Sequence, residues 1–494
     1  MNLASLADVH PAGRPALYGP DGWLDWRQVR SRADALAASL MDLGVRPADR
    51  VALVWPTSVA FVVGYLGALR AGAVVAPLNP QSPPAELERE LAFIDPVAIL
   101  CDEDRGTAPA SVVLEPGGTV AGHAAAIDDR QGDGAVPERA GSGAVERAAS
   151  DPAVLIFTSG TSGAPRAALL THGNLIANLK QMLAVPVQGN LMGEGDVSLG
   201  AVPFFHIFGL NVVVGLTIAT GAALVCEERF EPTEALHLVE ERGVTVIAGA
   251  PPMFADWSEL PARHRDSFSK VRLLLCGAAA LDPDVSRRFT SRFGLQVWEG
   301  YGLTEASPAV STSLGSAVCR PGSVGHPLPG VELRLVETSG EEALSGDPGE
   351  IWVRGPNVFG GYWRDPSSTS EVLDEQGWLH TGDMGVSDDE GELHIVDRLK
   401  DIIIVSGFNV VPAEVEHVVH AMAGVKDVAV SGRGDARSGE AVVAVVVPEG
   451  GAQLTESEVI AWCRAHLATY KVPTAVSFAE SIPRGLVGKP IRQD

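Results

Sequence analysis

Paired cysteines and excess basic charge are what this 494-residue chain lacks. Its five cysteines lie far apart, at 101, 226, 276, 319 and 463, with no C-x-x-C pair. That spacing excludes a disulfide framework and a cysteine-ligated zinc site, and it fits a reducing cytoplasm. Lys and Arg number 37 against 62 Asp and Glu, for a formal net charge of −25. Such a chain has no basic face for a nucleic acid or for an anionic membrane surface. A small anionic ligand stays possible, because a few local cations can hold it. Met1 to Val9 shows no basic stretch followed by an apolar core, so no signal peptide is expected. Residues 204–226 carry no Asp, Glu, Lys or Arg and are long enough to cross a bilayer. His206, Asn211 and the glycines at 209, 215 and 221 interrupt that run, and a buried helix, a turn at Thr220-Gly221 and a strand are predicted instead.

What is present is the composition of a globular protein, 46% hydrophobic and 20% charged. Its length suits roughly two to four domains or subdomains. Helices are predicted over 25–43, 58–69, 173–184, 232–242 and 284–293. They alternate with apolar strands at 51–54, 73–77, 244–248 and 295–298, the pattern of a mostly parallel sheet covered on both faces. Gly and Pro punctuate short runs between 320 and 400, which predicts a β-rich part. After Lys400 a compact α+β unit is expected, with helices at 412–422 and 455–468.

The chemistry-bearing stretch follows the strand Val154–Phe157 and reads Thr158-Ser-Gly-Thr-Ser-Gly-Ala-Pro-Arg166. Thr158, Ser159, Thr161 and Ser162 supply hydroxyls, Gly160 and Gly163 allow close backbone approach, and Arg166 supplies a cation. Consecutive backbone N–H groups with such donors suit phosphate oxygens, although the same composition also makes ordinary surface loops. It is not a P-loop. Further along, Gly300-Tyr-Gly-Leu-Thr-Glu305 offers a ring that could lie on a base, and a carboxylate suited to a hard cation. Asp383, after Gly382, could accept two ribose hydroxyls, and Lys489 is a point charge near the end of the sequence. Each also reads, by itself, as a plain turn residue or a solvated side chain.

Taken in order, the segments Thr158–His172, Gly300–Glu305, His380–Asp383, Asp397–Glu416 and Pro483–Lys489 resemble the adenylate-forming superfamily, which holds acyl-CoA synthetases, amino-acid adenylation domains and firefly luciferase. The similarity spans nearly the whole chain. It implies an α/β fold with a large N-terminal domain (1–399) of two αβ subdomains and a β-barrel-like part, then a small mobile α+β C-terminal domain (400–494). It implies ATP, Mg²⁺ and CoA as cofactor and cosubstrates. The loop Thr158–Arg166 would hold the β- and γ-phosphates. Tyr301 would stack on the adenine, with Gly277, Ala278 and Ala279 lining the purine pocket and Gly302 among the other ATP-binding residues. Thr304 would touch the α-phosphate, and Glu305 would bind Mg²⁺. Asp383 and Arg398 would hold the ribose, Lys400 would be the hinge, and Lys489 would meet the carboxylate and α-phosphate. Ser406, Gly407 and Phe408 would shape the CoA tunnel.

Three departures from the family pattern stand in the phosphate loop. Arg166 replaces a lysine, Ala167 a glycine and Ser162 a threonine. The segment Pro203–Leu210 resembles the acyl-pocket segment of acyl-CoA synthetases, with Phe205, His206, Phe208 and Gly209 as lining and His206 as a gate. No aspartate lies between 201 and 223, which argues against an amino-acid substrate, and Asn211–Thr220 offers no cation for a second carboxylate. The expectation is a medium- or long-chain fatty acid, with an aromatic acid, or transfer of the acyl group to a carrier protein, as alternatives. A non-catalytic nucleotide-binding relative is the reading of a different class.

Overall fold

A computed structural model of the chain describes residues 1–102, 110–113, 143–158, 165–187, 190–398, 403–405, 408–410, 412–435, 439–450, 452–467 and 469–483. Of the expected site residues, Ser159, Gly160, Thr161, Ser162, Gly163, Lys400, Ser406, Gly407 and Lys489 lie outside the described residues. Two compact units form. One comprises Met1–Pro321, Gly325–Glu332 and Val353–Leu379; the other comprises Gly322–Val324, Leu333–Trp352 and His380–Asp494.

The first unit is built on two sheets. A six-stranded sheet runs in the order Ala110–Val113, Ala98–Cys101, Arg50–Val54, Val74–Leu78, Pro152–Thr158, Arg166–Thr171. It is parallel until its last pair, where Pro152–Thr158 and Arg166–Thr171 form an antiparallel hairpin. A nine-stranded sheet has a parallel centre of Trp298–Gly302, Leu273–Cys276, Val246–Gly249, Val197–Gly200, Ala223–Cys226 and Pro15–Gly19, with antiparallel strands at both edges. Helices cover these sheets, as the strand–helix alternation predicts. Their starts follow local chemistry: Asp25 and Gln28 close a capping box before Trp26–Asp42, Thr171 and Asn174 do so before His172–Leu183, and Ser58 caps Val59–Arg70. All twelve residues of Val59–Arg70 are buried.

Two elements differ from expectation. The apolar run after Phe205 begins as a π-helix, Phe208–Gly215, continues as α-helix to Thr220, and ends at Gly221 in the left-handed conformation before the strand Ala223–Cys226. The strand expected at 295–298 instead covers Trp298–Gly302, so Tyr301 lies within a strand rather than in the turn after one. Its glycines reflect crowding, not flexibility. A Cβ at Gly302 would sit 2.2 Å from the Pro308 carbonyl oxygen, so only glycine lets that strand approach.

The second unit holds a four-stranded sheet in the order Glu332–Val336, Gly349–Arg354, Leu379–Ser387, Leu393–Arg398. It also holds an α+β sheet in which Gly439–Pro448 is flanked by Ile403–Val405 and Val425–Asp435, with Ala475–Phe478 added in parallel. Helices Pro412–His420 and Glu456–His466 contribute Val415, Val419, Val459 and Cys463 to a core shared with Val428, Val430, Val442 and Val446. No helix among the described residues is long and apolar enough to cross a membrane.

Candidate active site

In the hairpin, Thr158 and Arg166 are directly opposed across the two strands. Ala167, opposite Phe157, is a fully buried strand residue with no left-handed backbone. Alanine is therefore accommodated where the family has glycine. The guanidinium of Arg166 lies over the ring of Tyr362, 4.9 Å from its centroid. Tyr362 is carried beside this strand by backbone bonds from Trp363 N–H to the Ala167 carbonyl (2.8 Å) and from Leu169 N–H to the Gly361 carbonyl (3.1 Å).

The Tyr362 hydroxyl in turn donates to Glu305 Oε1 at 2.7 Å. Burial, and then the adjacent Glu305 charge, push the phenol pKa well up, so the hydroxyl keeps its proton and acts as donor. Glu305 sits in a short 3₁₀ turn, Thr304–Ala306, whose backbone is tied down by Phe359 N–H to the Glu305 carbonyl at 2.8 Å. Arg166, Glu305 and Tyr362 are separated by 139 and 57 positions, yet they form one continuous chain of side chains. Sequence reading missed Tyr362. Its only signal is the Gly360-Gly361 pair just before an aromatic ring, which resembles the glycines on either side of Tyr301.

Parallel pairing brings the purine-loop candidates next to Tyr301. Cys276 is in register with Glu299, so Gly277, Ala278 and Ala279 leave one strand beside Gly300 and Tyr301 on the next. Ala278 is held at φ +70°, a conformation that costs alanine energy and persists only where its surroundings fix it. Tyr301, Thr304, Glu305, Ala278 and Ala279 are half-buried and Gly302 is exposed, so the end of this strand is accessible.

The acyl-pocket candidates follow the strand Val197–Gly200 of the same sheet. Thr57 fixes their start by donating its hydroxyl to the Val202 carbonyl and accepting from Phe204 N–H. Phe205 and His206 are half-buried, and His206 Nδ1 accepts from Phe208 N–H at 3.3 Å, which leaves Nε2 for the proton of a neutral ring. Phe208 is buried against Gly277, where a Cβ would come within 2.6 Å of its ring. Gly209 is fixed by packing, since a Cβ there would meet the Pro203 carbonyl oxygen at 2.2 Å.

In the second unit, Asp383 and Arg398 are cross-strand partners, so two residues fifteen positions apart meet on one ladder. The turn before Asp383 is held by Glu350. Its Oε1 accepts from Gly382 N–H at 3.0 Å, and its Oε2 accepts from Trp352 Nε1 at 2.9 Å. Trp352 stacks on His380 at 3.9 Å. Thr381 donates its hydroxyl to the Ile351 carbonyl and accepts from Asp383 N–H. No group of three or more His, Cys, Asp or Glu among the described residues makes a metal site, and His417 and His420 are exposed. A metal here needs further oxygens, and a carboxylate such as Glu305, joined through Tyr362 to Arg166 at the base of the hairpin, has the donor chemistry that suits a Mg²⁺ ion sharing substrate oxygens.

Comparison with known proteins identifies the family. The family model described as AMP-binding enzyme matches residues 3–363, and that of the AMP-binding enzyme C-terminal domain matches residues 414–489. A feruloyl-CoA synthase of Amycolatopsis sp. is 38% identical over 468 residues, covering 94% of this chain and 92% of that protein. A long-chain-fatty-acid–CoA ligase of Bacillus subtilis is 33% identical over 505 residues, covering 95% and 89%. ATP-bound MatB from Rhodopseudomonas palustris superposes with a TM-score of 0.88 at 31% identity, covering 99% of this chain and 97% of that one. With both family models matched in order and similarity along almost the full length, the chain belongs to the AMP-binding enzyme family, in the acyl-CoA synthetase branch of the adenylate-forming superfamily, and is an AMP-forming acid–thiol ligase that uses ATP, Mg²⁺ and CoA.

Proposed function

We propose that the acid activated by this ligase is a medium- or long-chain fatty acid, and that the residues assigned above by resemblance carry the two half-reactions. The observation that carries the site assignment is the chain Arg166–Tyr362–Glu305, which ties the foot of the phosphate loop to the carboxylate that would hold Mg²⁺. In the first half-reaction a carboxylate attacks the α-phosphate, and acyl-AMP forms as pyrophosphate leaves. Two anions must meet, so fixed positive charge and donors have to offset the charge that builds up. Arg166, the loop hydroxyls from Thr158 to Ser162 and Lys489 supply them. Bound Mg²⁺ would supply Lewis-acid charge at the phosphates, with Glu305 among its holders. Tyr301, Gly302 and the Gly277–Ala279 loop would orient the base, Thr304 the α-phosphate, and Asp383 with Arg398 the ribose.

In the second half-reaction the CoA thiol attacks the mixed anhydride and AMP leaves. Lys400 would be the hinge between 1–399 and 400–494, and Ser406, Gly407 and Phe408 would shape the thiol's approach. The two family matches end at 363 and resume at 414, which leaves the junction between them. The apolar acid is supported by the absence of any charged side chain between 201 and 226. A second reading, an aromatic acid, is favoured by the 38% identity to the feruloyl-CoA synthase. Five free thiols, several of them buried, support a reducing cytoplasm.

The test is a panel of acids with ATP, Mg²⁺ and CoA, read as AMP and acyl-CoA by mass spectrometry. Dodecanoate and hexadecanoate are expected to give both products faster than ferulate or benzoate. AMP without acyl-CoA refutes the thioester step, and a preference for ferulate moves the substrate to the second reading. Lys489→Ala is expected to remove most adenylation while sparing thioester formation from supplied acyl-AMP.

A further inference from the structure

The turn that follows Glu305 is held by buried amides. Asn357 Nδ2 donates to the Ala306 carbonyl at 2.9 Å, Asn211 Nδ2 to the Ser307 carbonyl at 2.7 Å, and Asn178 Nδ2 to the Ala309 carbonyl at 2.7 Å. Ser307 is held at φ +70° inside this clamp, a conformation that persists only because its surroundings determine it. Two of the three amides come from elements with no part in the acyl pocket. Asn211 comes from the π-helix Phe208–Gly215, and the first residue of that helix, Phe208, packs on Gly277 in the purine loop.

The winding of this helix matters. In an α-helix of 3.6 residues per turn, side chains three apart lie within about 60° of one another. The wider π turn spreads them, so Phe208 meets the purine loop while Asn211 meets the metal-ligand turn. Asn211 itself is tied almost wholly through its donors: its side-chain oxygen is buried and has no hydrogen-bond partner. Such an orphan acceptor costs stability and calls for an explanation. Gly215, one turn on, is also specified by it, since a Cβ there would come within 2.7 Å of that oxygen.

We propose that Asn211 is a positioning residue that makes the π-helix a mechanical link, so that filling the acyl pocket and binding the nucleotide favour each other. This rests on the reading of Phe205–Gly209 as acyl pocket and of Tyr301–Glu305 as nucleotide site. A link of this kind is a coupling free energy, reciprocal between the two ligands. An acid seated against Phe208 and Gly209 restrains the helix, and the helix presents Ser307, and with it Glu305, in one position. Loss of the amide leaves both pockets but uncouples them.

The experiment measures the dissociation constant of a non-hydrolysable ATP analogue with Mg²⁺ by calorimetry, with and without saturating dodecanoate. Wild type is expected to bind the analogue on the order of tenfold more tightly with the acid present, within the usual range of couplings. In Asn211→Ala that ratio falls to within about twofold of unity. Gly215→Ala, which deletes no polar group and displaces the Asn211 oxygen, is expected to lose the coupling in the same way and covers the case of an Asn211 variant that does not fold. Equal coupling in wild type and either folded variant overturns the proposal, as does independent binding of the two ligands to wild type. Wild type that binds neither ligand overturns the functional reading instead.

Discussion

Replacing Tyr362 with phenylalanine deletes one hydroxyl and keeps the ring under Arg166. In the structure that hydroxyl donates to Glu305 Oε1 at 2.7 Å. A hydrogen bond to a charged group is worth about 1.5–3 kcal/mol, and both side chains here are half-buried, so the low end, about 1.5 kcal/mol, is the appropriate figure. That corresponds to about a tenfold change in an equilibrium constant. The sign follows from lone-pair counting. A carboxylate has about four acceptor sites, so one hydroxyl fixes the Glu305 rotamer without filling the positions that a Mg²⁺ held as proposed would use. Tyr362→Phe is therefore expected to raise the Mg²⁺ concentration at half-maximal ATP–pyrophosphate exchange about tenfold, with the KM for the acid unchanged. Tyr362→Ala removes the cation–π contact as well, worth about 0.5–1 kcal/mol, and is expected to add a further factor of about three. A Mg²⁺ titration of Tyr362→Phe that overlays wild type, or shifts to lower Mg²⁺, refutes the claim that this hydroxyl positions the metal ligand.

Two other perturbations test other parts of the molecule. Glu350→Gln gives the Gly382 and Trp352 N–H groups a single acceptor oxygen in place of two; with Asp383 as the proposed ribose acceptor, the KM for ATP is expected to rise roughly five- to thirtyfold through its misplacement, and an unchanged value in steady-state kinetics contradicts that role. Glu227, buried at the end of Ala223–Cys226, has its pKa raised to about 7 by burial, with the Glu231 and Glu234 charges adding to it. Because the folded value lies above the unfolded one, this carboxyl is tolerated below pH 4.5 and costs stability progressively as pH rises through 7, by at most about 3 kcal/mol. Glu227→Gln is expected to raise the melting temperature at pH 8 and leave it unchanged at pH 4, and the opposite pattern in thermal scans removes the assignment.

The parallel strands and their helices were legible because caps and apolar runs mark them directly: Asp25, Ser58 and Gly221 stand where the chain turns into or out of helix. The π-helix was not legible. Every residue from Phe208 to Gly215 is buried, so no alternation of polar and apolar positions reports the winding. Gly300 and Gly302 suggested a flexible turn, yet they serve close strand packing, which only the neighbouring chain at Pro308 reveals. Asp383 and Arg398 could each be singled out in sequence, but their pairing depends on hairpin register. Tyr362 stayed hidden because its value lies in what it touches, Arg166 on one side and Glu305 on the other.

The opposition of Thr158 and Arg166 across the hairpin limits how the chain can be altered there. Lengthening the connection between them leaves both strands in phase. Removing one residue from Arg166–Thr171 would exchange inside for outside along that strand, sending the guanidinium into the core and bringing Ala167 to the ligand side. Length variation among homologous ligases should therefore accumulate at the tip of this ribbon and be purged from its stem, a pattern that a simple count of gaps would reveal.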